Sequence, residues 1–352
     1  MEQRSALGTI PQAHRERRAA GTLPRVASDK RATPEIKPDF FIVGAPRCGT
    51  TAMSNYLAKH PDIFMARKEM HFFGSDLRFA GHFYRRDERE YLEEFANWNG
   101  QRRIGEASVW YLFSTRAAEE IKAFNPEARI IVLLREPVEM IYSLFNQFRY
   151  DGNEPLATIQ EALDAEPERR MGNGNGWQTY FAAGLIYRNV AAYTEQLQRY
   201  FKVFGRERVL VLLHEDLAAN PEAVYRRTLE FLKVDSAYKL NDYPRDNAGK
   251  VAKNRVLSAA LNNPAMRSAL LAVKPLMPQV VFKSLHRIEW ALHNRNISST
   301  KPAPLDGELE SELRLEFAPK IKQLSNLIGR DLSHWTNKEP MHRPSPSQIR
   351  TA

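Results

Sequence analysis

One stretch, Phe40-Phe41-Ile42-Val43-Gly44-Ala45-Pro46-Arg47-Cys48-Gly49-Thr50-Thr51, constrains this chain more than any other. An apolar run that suits a buried strand passes into a glycine-bounded loop. The loop opens a segment with Met53, Tyr56 and Leu57 at helical spacing. Strand, loop and helix start together form a phosphate cradle, because the N–H groups of a first helical turn and the helix dipole both favour an anion. The pattern departs from the ATP-binding G-x-x-x-x-G-K-[ST] loop at one place: Thr50 and Thr51 follow Gly49 with no lysine. In ATP enzymes that lysine reaches the β- and γ-phosphates and the next hydroxyl holds Mg²⁺. A cradle without it points to a nucleotide that lacks a γ-phosphate.

The rest of the chain alternates short apolar strands with amphipathic helices, which predicts an α/β fold with a mostly parallel central sheet flanked by helices. Strands are expected at Phe40–Val43, Arg103–Ala107, Arg129–Leu134 and Val209–Leu213, mostly as continuous apolar runs covered on both faces. Helices are expected at Thr51–Lys59, Pro137–Phe148, Asn189–Phe204 and Pro221–Leu232, with Asn220 as a cap, then over 256–293 and 307–328. Residues 1–38 and 337–352 carry prolines and no periodicity and are expected to be disordered tails around one domain, 39–336.

The formal charge is +9, and the basic 1–38 segment holds eight Lys/Arg against four acids, so the body is only mildly basic. That balance suits an anionic ligand. RNP-type and zinc-finger patterns are absent, so nucleic acid is not expected as a partner. A single cysteine, Cys48, excludes an intrachain disulfide. No apolar run approaches the ~18 residues of a spanning helix, and the N-terminus has no signal-peptide core. The expected location is cytoplasmic.

A second feature stands at the end of Ile130-Ile131-Val132-Leu133-Leu134-Arg135-Glu136-Pro137, with Ser143 eight residues beyond Arg135. A P-loop NTPase places an Asp near such a strand end to organise Mg²⁺. Here a permanently charged, fork-shaped donor takes the place, which suits direct phosphate recognition. Ser143, two turns into the following helix, offers a hydroxyl to the same anion.

Loop, strand-end arginine and helical serine resemble the nucleotide site of the sulfotransferases that use 3′-phosphoadenosine 5′-phosphosulfate (PAPS), on a P-loop NTPase-like fold. Lys68-Glu69-Met70-His71-Phe72-Phe73 is similar to the acidic-x-His-Phe-Phe stretch of the glycosaminoglycan-type enzymes. Gly105-Glu106-Ala107-Ser108, Val209–Leu217 and Gly329-Arg330-Asp331-Leu332-Ser333-His334-Trp335 add to the match, which covers about 39–336.

The resemblance implies transfer of a sulfuryl group to a hydroxyl or amine of a carbohydrate, glycolipid or small hydroxyl compound, without a metal. It implies Glu69 as general base, with His71 and Arg47 assisting. Arg47, Cys48, Gly49, Thr50 and Thr51 would bind the 5′-phosphosulfate, and Arg135 and Ser143 the 3′-phosphate. A basic loop bearing Lys250, Lys253 and Arg255 would close over the nucleotide, and spacing does not choose among the three. The sequence departs from the family pattern at Arg47, usually Lys, and at Gly74 and Ala107, where the glycosaminoglycan enzymes carry Asp and Lys.

Other readings of the same residues stay open. Glu69 can be a solvated residue before a buried Phe pair, and His71 a structural histidine. Cys48 fits as a small loop residue rather than a nucleophile. Glu215-Asp216 after an apolar strand imitates a Walker-B pair, although a helix-leading structural role fits better. The Met171–Trp177 loop either borders the acceptor cleft or connects elements. The basic amphipathic stretch 265–290 can pack on its own domain or, less readily, rest on an anionic membrane. A P-loop kinase and a non-catalytic nucleotide-binding module are the rival functions.

Overall fold

The computed structural model describes residues 36–80, 87–173, 179–244, 251–252, 297–298 and 303–337. Five strands, β1 (Phe40–Gly44), β2 (Ile63–Met65), β3 (Arg103–Ala107), β4 (Arg129–Leu134) and β5 (Val209–Leu213), form one sheet in the order β2-β3-β1-β4-β5. Every pairing in it is parallel. Two-residue strands β6 (Val251–Ala252) and β7 (Ile297–Ser298) pair antiparallel elsewhere. The helices are α1 (Thr50–Leu57), α2 (Glu88–Glu93), α3 (Ala117–Phe124), α4 (Pro137–Tyr150), α5 (Ile159–Asp164), α6 (Glu166–Arg170), α7 (Tyr187–Val190), α8 (Tyr193–Phe204), α9 (His214–Ala219), α10 (Pro221–Leu232) and α11 (Gly307–Ile328).

The four expected strands are present. All of β1 and five of the six residues of β4 are buried, which is why their apolar runs are unbroken: parallel strands at the centre of a sheet are covered on both faces. Each buried Leu or Ile of β4 contributes about 1.5–3 kcal/mol by leaving water. Gly105 makes the sheet possible at one crossing. A Cβ there would lie 2.1 Å from Phe40 Cζ and 2.5 Å from Met65 Sδ.

Because the strands all run one way, their C-terminal ends share one edge, and the segments that follow them collect there. Open parallel sheets bind ligands at that edge, where the strand order changes direction. Here the change falls beside β1.

Helix α4 begins as its residues dictate. Pro137 occupies the first turn, and the Glu136 side chain accepts from the Val138 and Glu139 N–H groups. Ile141, Leu144, Phe145 and Phe148 form its buried face. Asn220 caps α10 through the Ala223 N–H, and Asp306 caps α11, its side chain accepting from the Glu308 and Leu309 N–H groups. The helix expected from Asn189 instead begins at Tyr193. The Gln196 amide donates to the carbonyls of Asn189 and Val190, so these two oxygens are satisfied without a continuous helix. The expected helices over 256–293, including the basic stretch 265–290, lie outside the described residues, as do both tails but for 36–38 and Asn337.

Candidate active site

The cradle forms where β1 meets α1. Gly49 is the α1 N-cap with φ 91°, it has no side chain with which to cap this end, and the first turn holds no acid. The partial positive charge of the helix terminus therefore stays available for an anion. A Cβ on Gly49 would fall 2.9 Å from Leu217 Cδ2, at a φ that L-residues rarely adopt. Cys48 is fully buried, and its thiol donates to the Pro46 carbonyl at 3.3 Å. Burial pushes that thiol up to about 12, so it is neutral at physiological pH and no nucleophile. Thr50 is buried, and Thr51 Oγ1 accepts from Lys68 Nζ at 2.8 Å.

Two arginines converge on the loop. Arg47 donates through Nε to Ser143 Oγ (3.0 Å) and through Nη1 to Gln147 Oε1 (2.9 Å), one turn apart on α4. Arg135 donates through Nε to Glu139 Oε2 at 3.1 Å. Burial, and next the repulsion of Arg135, lower the Arg47 pKa. Two cations held near one another in a partly dry site favour an anion between them. Ser143, expected to act with Arg135, accepts its hydrogen bond from Arg47.

Glu69 follows β2, with its N–H donating to the carbonyl of Ala107 at the end of β3 (2.8 Å). Its Oε2 accepts from the Val109 N–H at 3.1 Å, and its Oε1 lies 3.5 Å from Lys68 Nζ. The side chain keeps 36% of its surface exposed. Burial raises its pKa against the opposing pull of Lys68 and Val109.

His71 Nε2 is 3.7 Å from Glu69 Oε2, and its ring stacks on Phe79 with centroids 4.4 Å apart. Burial brings His71 down to about 4, so its imidazole is neutral. Its Nδ1 is buried, with no hydrogen-bond partner among the described residues. Phe79 also faces Tyr180, whose hydroxyl accepts from Trp110 Nε1 at 3.1 Å. The carboxylate is thus bordered on one side by a cation and on the other by an aromatic wall.

Arg47 (φ 63°), Glu69 (φ 60°) and His71 (φ 51°) are three of the four non-glycine residues with positive φ among the described residues. The left-handed conformation costs about 1–2 kcal/mol for an L-residue and clusters at functional sites.

The structure brings together Arg47, Cys48, Gly49, Thr50, Thr51, Arg135 and Ser143 around the cradle, and Lys68 ties Glu69 to it. Lys250, Lys253 and Arg255 lie outside the described residues, as do Gly174 and Gly176 of the Met171–Trp177 loop. Glu215 and Asp216 begin α9 and receive the C-terminal segment. Trp335 Nε1 donates to Glu215 Oε2 at 2.9 Å, His334 Nε2 lies 2.8 Å from Oε1, and Arg330 pairs with Asp216. Sequence reading passed over Lys68, although a lysine beside a proposed base was visible. Its approach to Thr51 depends on the fold.

Residues 38–238 match the Sulfotransferase family. The chain belongs to this family. A crystal structure of a sulfotransferase from Alicyclobacillus acidocaldarius superposes with a TM-score of 0.62 at 30% identity, covering 85% of this chain and 99% of that one. Carbohydrate sulfotransferase 15 of Mus musculus is 28% identical across 56% of this sulfotransferase chain and 44% of its own length. The membrane-associated sulfotransferase kil1 of Dictyostelium discoideum is 31% identical across 56% of each. The chain thus spans about half the length of the curated relatives it matches.

The cytoplasmic expectation is corrected by these relatives, since one of them is named as membrane-associated. Among the described residues no helix is long and apolar enough to cross a membrane. The error was to read location from the lack of a spanning run, when peripheral attachment needs none.

Proposed function

We propose that this chain transfers a sulfuryl group from PAPS to a hydroxyl or amine of a carbohydrate or glycolipid acceptor, with residues 39–336 as the catalytic domain. The observation that carries the reading is the Lys68 bridge, 2.8 Å from Thr51 on the cradle and 3.5 Å from Glu69. It joins a phosphate site to a carboxylate within the reach of one side chain. Relatives named as carbohydrate sulfotransferases support the acceptor class.

PAPS supplies an activated sulfuryl group on a 5′-phosphate leaving group. The α1 N-terminus, Gly49, Thr50 and Thr51 hold that phosphate, and Arg47 faces the charge that grows on it. Arg135 and Ser143 take the 3′-phosphate, with Lys250, Lys253 and Arg255 as further candidates. A cavity of about 560 Å³ lined by Arg135, Glu139, His214, Glu215, His334 and Trp335 gives room for the nucleoside. His214 is brought down to about 4 by burial and then by Arg135, so a neutral imidazole faces the ligand.

Glu69 takes the acceptor proton as the new bond to sulfur forms and the bond from sulfur to the phosphate oxygen breaks. Its raised pKa brings its basicity closer to the working pH. His71, neutral, orients the acceptor. Lys68 offers a compact positive charge between base and cradle, which Arg47, engaged with α4, does not.

Calorimetric titration with adenosine 3′,5′-bisphosphate (PAP), followed by transfer from radiolabelled PAPS to carbohydrate acceptors, tests the reading. Micromolar PAP binding and a labelled product are expected. Binding of Mg²⁺-ATP with no affinity for PAP would favour a kinase and remove the proposal. Arg135→Ala is expected to weaken PAP binding about tenfold to a hundredfold, as loss of a charged hydrogen bond does. Lys68→Met is expected to lower kcat about a hundredfold with PAP affinity retained, as loss of a transition-state donor does. Wild-type turnover in Lys68→Met would take that lysine out of the mechanism.

A further inference from the structure

Beneath the segment that carries Glu69 and His71 lies a further polar residue to which neither family resemblance nor sequence reading gave a role. Glu106, in β3, is fully buried. Three hydroxyls donate to it, each at 2.7 Å: Ser108 Oγ and Tyr111 Oη to Oε1, and Tyr91 Oη to Oε2. Each of those three residues also touches the segment above. Ser108 Oγ accepts the His71 N–H at 3.2 Å. Tyr111 Oη accepts the N–H groups of Phe72 (2.9 Å) and Phe73 (3.3 Å). The Tyr91 ring stacks on Phe72 with centroids 4.1 Å apart and planes 9° apart.

Hydrogen-bond polarity makes this arrangement directional. A hydroxyl has one proton and two lone pairs. Because Ser108 and Tyr111 spend their protons on Glu106, their lone pairs face the backbone N–H groups of residues 71–73. Ser108 accepts one such bond and Tyr111 accepts two, so both lone pairs of Tyr111 are used. An acceptor-only carboxylate at 106 is the group that enforces this orientation in all three hydroxyls at once.

We infer that Glu106 is a positioning residue for sulfuryl transfer: its carboxylate orients Ser108, Tyr111 and Tyr91 so that they hold the left-handed backbone of Glu69 and His71 in place. The inference rests on the reading of Glu69 as the base. It explains how a segment with φ of 60° at Glu69 and 51° at His71 is kept from relaxing, since a buried and fully connected polar network specifies one arrangement. Burial lifts Glu106 to about 7 against the three hydroxyl bonds that lower it, and Glu69 adds a further upward push. Tyr91 of α2, Tyr111, Tyr200 of α8 and Glu69 are the titratable groups that face it. On protonation Glu106 gains a donor that one of its hydroxyl partners must accept, and the polarity of the network reverses. Two carboxylates, Glu69 and Glu106, must then be ionised for turnover.

The test is Glu106→Gln, nearly isosteric but carrying two N–H donors where the carboxylate has none. Three readings are taken: PAP affinity, kcat as a function of pH, and amide hydrogen exchange at residues 71–73. Unchanged PAP affinity is expected with kcat lowered about a hundredfold, the scale of a small misplacement of reacting groups. Exchange at His71, Phe72 and Phe73 is expected to quicken. The acid limb of log kcat should change from a slope near two to a slope near one, as one of two coupled carboxyls is removed.

Wild-type kcat with wild-type exchange overturns the inference. So does a loss of PAP binding in step with kcat, which would make Glu106 a core residue with no special link to the base. Should Glu106→Gln not fold, Ser108→Ala detaches His71 alone. Faster exchange at His71, lower kcat and intact PAP binding are then expected, and unchanged kcat overturns the inference. If the wild-type chain transfers no sulfuryl group, the functional reading fails. Exchange at 71–73, which needs no substrate, still decides whether Glu106 holds the segment.

Discussion

Glu69→Gln is expected to lower kcat by about 10²–10⁴-fold, the range for removal of a general base, while PAP binds as before. The amide keeps the size of the side chain and can still accept from the Val109 N–H, so the turn should persist. What disappears is the ability to take a proton from the acceptor. The pH profile carries the sign. Because burial raises the folded pKa of Glu69, the ionised base is lost as pH falls through that raised value. The acid limb of kcat should therefore stand above the ordinary glutamate range of about 4.3. Steady-state rates from pH 5 to 9, with PAP titrations at each end, check both statements. A fully active Glu69→Gln enzyme would transfer the role of base elsewhere.

The largest expected effect on stability lies away from the chemistry. Arg169 of α6 donates twice to Glu154, Nη2 to Oε1 at 2.8 Å and Nη1 to Oε2 at 2.9 Å, and both side chains are almost wholly buried. Nη1 reaches the Leu185 carbonyl at 3.1 Å, and Tyr187 Oη donates to Glu154 Oε2 at 2.9 Å. One ion pair thus pins α6, α7 and the segment after α4 together. Arg169→Leu leaves a buried carboxylate with no cation, and a loss of about 3–5 kcal/mol is expected. Urea unfolding measures it. Replacing both partners with methionine should recover much of the loss, because the cost arises from an uncompensated charge. A double variant as unstable as the single one would contradict that account.

The sheet was legible because its central strands have nothing to alternate. Ile130 to Leu134 is apolar on both faces, and strand and sequence run coincide. β2 was not foreseen, since three residues at a sheet edge carry no period. Helices with their own start signals, Pro137 after a capping Glu136 and Pro221 after Asn220, were found at the right residue. The start after Val190 was missed because Gln196 folds back to satisfy carbonyls by side chain, which spacing does not reveal.

The site followed the same division. Gly49, Arg135 and Ser143 were singled out by local chemistry, and Glu69 and His71 by family resemblance. The roles proposed for Lys68 and Glu106 depend on partners that the fold supplies, such as Thr51 seventeen residues away from Lys68. Glu106 did leave one signal, a carboxylate between Gly105 and Ala107 in the buried part of a strand, since such a group is seldom buried without partners.

The left-handed backbone at Arg47, Glu69 and His71 has a consequence for engineering. A designer asked only for a well-folded chain would write glycine at all three positions, because glycine adopts φ near 60° at no steric cost. A redesign for thermal robustness that followed this preference would remove left-handed strain at the three sites where a cation, the proposed base and an imidazole stand. The same torsions mark where foldability and chemistry ask for different residues. A stabilised version of this enzyme should be sought by leaving those three positions untouched and improving the scaffold around them.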